Sequence, residues 1–208
     1  MPEQQISPTK GNLIIAKTSL RQARMGYDLM DKKRNILIRE MVLLSDKVKL
    51  LRDNIVKTFS EAYDALQKAH IMLGVNSPIG RQVPIDNGIE ISYRSVMGIE
   101  LPIVNLPRRK IKPVYGTLQS NEQFDNAFIK FNEVKYLSVM LAEIENSIYR
   151  LAIAIKKTQK RANALENILI PKYIEQVRFI SNALEEKERE EFSRQKVIKA
   201  VKQKKKSV

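Results

Sequence analysis

The chain has 208 residues, of which 43% are hydrophobic and 29% charged, a composition typical of a helix-rich protein rather than of a disordered one. It contains no cysteine and no tryptophan, which excludes disulfides and thiolate metal sites. No apolar run reaches the roughly 18 residues of a membrane span, and the N-terminus lacks the pattern of a signal peptide. We therefore expect a cytosolic protein without direct membrane insertion.

The formal net charge of +14 is spread along the chain and rises at its C-terminus, where residues 189–208 hold 8 basic and 2 acidic side chains. This tail has three interpretations: a solvated end, a nucleic-acid contact, or a docking element for an acidic protein surface. Aromatic side chains on which bases stack are not interleaved with its lysines, which weakens the nucleic-acid interpretation. A basic coiled-coil protein that binds nucleic acid, or a scaffold, remains the alternative function.

Glycine and proline divide the sequence into three segments. Neither occurs between Gly26 and Gly74, and beyond Gly116 the only one is Pro171, whereas the stretch between Gly74 and Gly116 is rich in both. Because these residues interrupt regular helices, the pattern predicts two long helices on either side of an irregular insert. The predicted domains are an N-terminal coiled-coil helix (1–74), an insert (75–118), and a C-terminal coiled-coil helix with a basic tail (119–208).

The first segment carries an apolar repeat with alternating steps of three and four residues. It runs without a break from Leu13 to Met72, and Arg34 and Thr58 are its only polar members. Such strict spacing is typical of a coiled coil, in which one seam faces a partner helix along its length. The seam residues singled out here are Leu20, Leu37, Leu44, Leu51 and Ile55.

The insert contains an alternating apolar stretch that predicts a short β-hairpin. One strand is expected at Ile89–Tyr93 and its mate at Val96–Pro102, where we expect Pro102 to end the strand. A basic linker follows at Arg108–Pro113.

The last segment repeats the heptad pattern. Ser120–Gln123 has the spacing of a capping box, which predicts a helix start with Ser120 as its N-cap. After Leu169 the apolar repeat continues with two steps of four residues each. This change of spacing lies beside Pro171, so we expect a kink there. The seam residues singled out in this helix are Leu141, Ile144, Ile148, Leu151 and Ile155.

Two long heptad helices joined by an insert pack most simply as an antiparallel pair within one chain. The predicted fold is therefore mainly all-α, a long two-helix antiparallel coiled coil with a short β-hairpin insert.

The sequence predicts no catalytic residue, no cofactor site and no metal site. Gly11–Thr18 has the length of a phosphate-binding loop, but Ala16 replaces its second glycine and no strand precedes it. The single histidine, His70, has no second imidazole to share a metal. The glutamates within 185–191 alternate with basic residues at helical spacing, as on a solvated helix face.

Four stretches of the chain resemble the D subunit of V-type and archaeal A-type ATP synthases. They are Pro8–Leu20, Gly26–Arg34, Val96–Pro102 and Lys160–Pro171. The positions that carry the resemblance are Gly26, Asp31, Lys32, Arg34, Met97, Gly98, Pro102, Arg161, Asn163, Leu165 and Pro171.

The resemblance implies the rotor shaft of the central stalk, a non-catalytic component that couples ATP synthesis or hydrolysis to ion translocation. It also implies partners: the catalytic and regulatory A and B subunits of the hexamer, the small F subunit of the stalk, and the C (also called d) subunit on the membrane ring. Neither nucleic acid nor a cofactor is among them. The expected location is cytoplasmic, peripheral to the membrane.

Overall fold

The computed structural model describes residues 7–74, 77–108, 115–116 and 120–206, and the side chains of 77–79 and 204–206 are outside this description. It confirms the predicted fold class of two long helical segments with a β-hairpin between them. The elements are α1 (Lys10–Leu73), α2 (Ser77–Gln82), β1 (Glu90–Val96), β2 (Ile99–Asn105), α3 (Glu122–Ala164), a π-helical turn (Leu165–Leu169) and α4 (Ile170–Lys206). Of the predicted basic linker, residues 109–113 lie outside the described residues.

The chain divides into two compact units. The terminal unit comprises Met1–Arg34 and Lys157–Val208, and the central unit comprises Asn35–Lys156. Helix α1 contributes its first part to the terminal unit and the rest to the central unit. Within each unit, α1 lies beside a helix from the C-terminal half of the chain.

Contacts between the helices run in opposite directions along the sequence in both units. In the terminal unit, Lys10 pairs with Glu188 and Arg34 bonds to Gln159. In the central unit, Arg52 pairs with Glu145, and Lys130 pairs with Glu61. As residue numbers rise on α1 they fall on its partner, so the pairing is antiparallel in each unit.

The seam predicted on α1 is the buried face of that helix. Ala16, Ala23, Leu37, Leu44, Ile55, Ala62 and Ala69 are buried, and the other seam positions are half-buried except Met72, whose side chain is 67% exposed. On the C-terminal side, Val134, Leu151, Thr158 and Ala162 are buried, and Leu141, Ile144, Ile148 and Ile155 are half-buried. Removing this apolar surface from water is the main source of stability in such a pair.

The hairpin forms, but its second strand lies three residues further along the chain than the sequence predicts, at Ile99–Asn105 instead of Val96–Pro102. Val96 ends β1, and the two residues after it form the turn. The register pairs Glu90 with Asn105 and Val96 with Ile99, so β2 continues beyond Pro102 instead of ending there. Pro102 lies opposite Tyr93, at a position whose N–H would point away from β1. Since no hydrogen bond within the hairpin needs that N–H, the proline fits inside the strand.

Helix α3 begins one residue later than the capping-box pattern predicts. The carbonyl of Asn121, not that of Ser120, accepts the first helical bond, from the Asp125 N–H at 3.1 Å. Asn121 is therefore the N-cap, a residue type that is at least as favourable there as serine.

Candidate functional site

A polar layer interrupts the apolar seam in the terminal unit. The Arg34 guanidinium lies 2.6 Å from the carboxylate of Asp31 and donates to the side-chain oxygen of Gln159 at 2.7 Å. The Gln159 amide in turn donates to Asn163 at 2.6 Å. A half-buried charge is tolerated at a seam position only when such partners satisfy it, and this layer explains the polar residue in the repeat.

Beside this layer, Tyr27 of α1 lies against Glu166. The negative charge of Glu166 raises the pKa of the Tyr27 phenol, with smaller contributions from desolvation and from Asp31. Both residues belong to the terminal unit, where Gly26 also approaches the opposite helix: a Cβ atom at Gly26 would lie 3.7 Å from Leu165. That distance is an ordinary contact, so close approach alone does not require glycine here.

A π-helical turn occupies Leu165–Leu169, directly before Pro171. The Ile170 N–H bonds to the carbonyl of Leu165, five residues back. The wider turn adds a residue to the helix, which accounts for the predicted stutter and accommodates the proline ring. Ile168 and Leu169 are exposed on this turn, at 64% and 37%. The kink itself stays a prediction.

The hairpin is held on the side of the helix pair in the central unit. Leu101 is fully buried among Leu37, Leu44 and Leu151. Arg94 of β1 forms an ion pair with Glu40 of α1 at 2.7 Å. Val96 and Ile99 pack against the same cluster, so apolar side chains of both strands and one charge pair fix the hairpin there.

Helix α3 contributes two more contacts to the hairpin. The carboxylate of Glu143 accepts the Val104 N–H at 3.0 Å. The guanidinium of Arg150 donates to the Glu100 carbonyl at 3.0 Å and lies 5.5 Å from the centre of the Tyr93 ring.

A two-residue turn joins the hairpin strands, and both of its residues have positive φ, 51° at Met97 and 76° at Gly98. Tight hairpins favour this backbone because its twist matches that of the strands. Glycine adopts it freely, whereas methionine does so at some cost.

The end of the insert packs on the start of α3. The Tyr115 phenol donates to Asp125 at 2.5 Å, and burial together with this hydrogen bond raises its pKa. The Tyr115 ring meets Phe124 and Phe128 edge to face. Lys135 of α3 pairs with Asp86 at 2.8 Å.

The remaining predicted positions do not gather into one site. Lys32, Arg161 and Pro171 are exposed, as is every described side chain from 185 to 203. The roles of Gln159, Glu143 and Arg150 were not predicted from the sequence. Nothing in the local sequence marks them, because each acts on a residue far away along the chain.

No chemical centre emerges within the described ranges. No group of three His, Asp or Glu side chains there is placed to hold a metal ion. None of the described helices is long and apolar enough to cross a membrane. Gly11–Thr18 lies inside α1 and forms no phosphate-binding loop.

Antiparallel helix pairing with a hairpin fixed to its side defines a coiled-coil protein with a β-hairpin insert. The sequence matches, over residues 12–200, the family described as the D subunit of ATP synthase. The D subunit of a V-type ATP synthase from Thermotoga neapolitana is 41% identical over 196 residues, which cover 93% of this chain and 97% of that protein.

The D subunit of an A-type ATP synthase from Pyrococcus furiosus is 36% identical over 207 residues, which cover 97% of each chain. The chain therefore belongs to the family of ATP synthase D subunits.

Proposed function

We propose that this chain is the central-stalk rotor shaft of a V/A-type rotary ATP synthase. In this role it transmits rotation between ATP chemistry in the catalytic hexamer and ion flow through the membrane ring. Membership of the D-subunit family supports the proposal, and no observation on this chain favours the nucleic-acid-binding or scaffold alternative.

The observation that carries the proposal is the apolar seam closed between antiparallel helices within each unit. Torque passes along a shaft only if its helices do not slide past each other. Apolar burial along the seam resists separation, and the Arg34 layer resists sliding because the hydrogen bond from Arg34 to Gln159 fits one alignment only. The ion pairs of Arg52 and Lys130 are exposed and add little by comparison.

The shaft's contribution is mechanical, and the proposal assigns ATP chemistry to the A and B subunits. An asymmetric shaft presents a different face to each catalytic interface in turn, which biases each interface toward a different conformation. Exposed basic residues at the start of α1, among them Lys17, Arg21 and Arg24, are suited to acidic loops of the hexamer.

At the other end of the shaft, the proposed partners are the small F subunit and the C (or d) subunit that joins the stalk to the ring. This arrangement places the chain on the cytoplasmic side, peripheral to the membrane. Contacts with these subunits would form on surfaces that are exposed on the isolated chain.

The experiment is a rotation assay. Because the chain has no cysteine, Ile85→Cys, at a side chain that is 87% exposed, gives a single attachment point for a bead. With the hexamer fixed to glass, we expect the bead to turn in one direction during ATP hydrolysis and to stop with a non-hydrolysable analogue. A bead that stays still while the same complexes hydrolyse ATP would contradict the proposal.

A further inference from the structure

The two outer edges of the hairpin differ. On β2, two outward main-chain groups bond to α3: Glu143 accepts the Val104 N–H at 3.0 Å, and Arg150 donates to the Glu100 carbonyl at 3.0 Å. Pro102, between them, has no N–H to satisfy. Side chains of α3 therefore occupy the outer edge of β2.

The outer edge of β1 is open. In an antiparallel pair, residues that do not exchange hydrogen bonds point their N–H and C=O groups outward, and they alternate with residues that do. Val104 and Glu100 bond outside the hairpin, so their partners Ile91 and Ser95, and Tyr93 between them, also point outward. In the part of the chain that the structure describes, the N–H groups of these β1 residues have no partner.

A groove of about 350 Å³ lies on the face of the hairpin that carries Ile91 and Tyr93. Its hairpin wall is formed by residues of both strands, with Pro102 and Val104 of β2 beside Ile91 and Tyr93, and α3 forms the opposite wall. The side chains of Ile91 and Tyr93 are 60% and 57% exposed, so the apolar face of β1 next to its open edge is accessible to a partner.

We propose that the β1 edge is a docking site for one extended segment of another protein of the assembly, which adds a third strand to the sheet. The segment hydrogen-bonds to Ile91, Tyr93 and Ser95 and carries apolar side chains at every second residue, on the groove side. The proposal rests on the proposed function, because it assigns a partner surface within that assembly.

A strand is the occupant that the geometry specifies. Outward N–H and C=O groups two residues apart match the main-chain spacing of an extended segment, whereas a helix has no main-chain groups free to pair with them. The segment has no net positive charge. A second copy of this chain is disfavoured as the occupant because each copy carries a net charge of +14.

The first test measures backbone hydrogen exchange, resolved to single residues, on the full chain alone and in the purified complex. In the complex, we expect the amides of Ile91, Tyr93 and Ser95 to exchange at least about tenfold more slowly, as hydrogen-bonded amides do. The amides of Ser92 and Arg94, already bonded to β2, serve as internal controls and change little. Unchanged exchange at the three outward amides in an intact complex overturns the docking site.

The second test removes one donor. Tyr93→Pro deletes an outward N–H without touching the bonds within the hairpin, which already accepts a proline opposite it at Pro102. We expect the complex to dissociate about tenfold faster than with the matched control Tyr93→Ala, which loses the same ring but keeps the N–H. Protection of the Val104 amide shows whether the hairpin is intact, and Ser95→Pro repeats the test at a second position if it is not.

Two further outcomes separate the proposals. If the unsubstituted chain fails to enter an ATP-hydrolysing complex, the proposed function is contradicted. If that complex forms but Tyr93→Pro behaves like Tyr93→Ala, only the docking site is contradicted. Sedimentation of the chain alone tests whether a second copy of this chain is the occupant. A dimer that Tyr93→Pro abolishes would overturn the proposal in favour of a second copy.

Discussion

Leu151 is the side chain at which the seam and the hairpin meet. It is fully buried and packs with Leu37 and Leu44 of α1 and with Leu101 of β2. Truncating this side chain affects both the helix pair and the packing of the hairpin. It should therefore cost far more stability than truncating an apolar side chain on the outer face of the same helix.

We predict that Leu151→Ala lowers the free energy of unfolding by about 2–5 kcal/mol, the cost of lost burial and the cavity left behind. Urea denaturation of the full chain measures it. The matched control is Ile153→Ala on the same helix, where the side chain is 52% exposed and the loss should stay within about 1 kcal/mol. Equal losses in the two variants would show that the central core does not depend on Leu151.

The ion pair between Glu61 and Lys130 predicts a pH dependence. Its hydrogen bond and charge lower the pKa of Glu61 below 4.5 and raise the pKa of Lys130 above 10.5. Stability from Glu61 is therefore present above pH 4.5 and lost as the pH falls through its folded pKa, while stability from Lys130 is lost at alkaline pH. Because both side chains are exposed, the effect is small.

We expect Glu61→Gln to melt slightly below the unsubstituted chain at pH 7 and the two melting temperatures to converge as the pH falls below 4.5. Glu186→Gln, at an exposed glutamate, is the control and should show no such convergence. A difference that persists unchanged in acid would mean that the charge of Glu61 is not its cause.

At the scale of elements, the Arg34 layer is the feature that distinguishes one helix alignment from another. Apolar seams tolerate a slip of one heptad, because leucine and alanine pack in several registers. The hydrogen bond from Arg34 to Gln159, which joins the two helices, forms in only one of them. The pair with Asp31 lies within α1 and does not depend on the register. A single polar position therefore sets the register, at some cost in stability.

We predict that Arg34→Leu leaves the terminal unit helical and at least as stable, but loosens its register. Cysteine pairs measure this, since the chain has none of its own. Lys10→Cys with Glu188→Cys, whose native side chains are 3.1 Å apart, should cross-link through a short bismaleimide in both backgrounds. Lys10→Cys with Gln195→Cys or Ser181→Cys, one heptad away, should cross-link only with Arg34→Leu. Lys33→Leu, just outside the seam, is the control.

At the scale of the whole molecule, the main feature is the excess of basic side chains at the C-terminal end of α4. Every described side chain from 185 to 203 is exposed, so these charges act on whatever surrounds them in the assembly. One of the interpretations of this tail is docking on an acidic protein surface, and contacts of that kind weaken as salt screens them.

We predict that Lys199→Gln with Lys202→Gln slows assembly of the complex by several-fold at low salt and that the difference disappears near 1 M salt, where the screening length falls to about 3 Å. Glu185→Gln with Glu186→Gln on the same helix should not slow assembly. Stopped-flow fluorescence against ionic strength gives the rates. A defect of the lysine variant that is equal at all salt concentrations would argue against electrostatic docking.

The local features of this fold could be predicted because near neighbours in the sequence determine them. The heptad repeat of α1 predicts its buried face, and the alternating apolar stretch predicts a hairpin, although Met97 and Gly98 were expected in its second strand and form the turn instead. Errors appeared where a residue's role depends on what lies opposite it. Pro102 continues a strand rather than ending it because of the position of Tyr93, and Asn121 rather than Ser120 caps α3.

By itself, the sequence determined two long helices, an apolar seam and a hairpin between them, since periodicity and turn chemistry act over a few residues. Only the tertiary structure decided which partner satisfies Arg34, where the π-helical turn lies, and which edge of the hairpin is covered. Those outcomes depend on pairs such as Arg34 and Gln159, separated by 125 positions, whose alignment is set by packing between the paired helices. Local sequence determines which face of each helix is apolar, and the register between the paired helices determines which side chains meet.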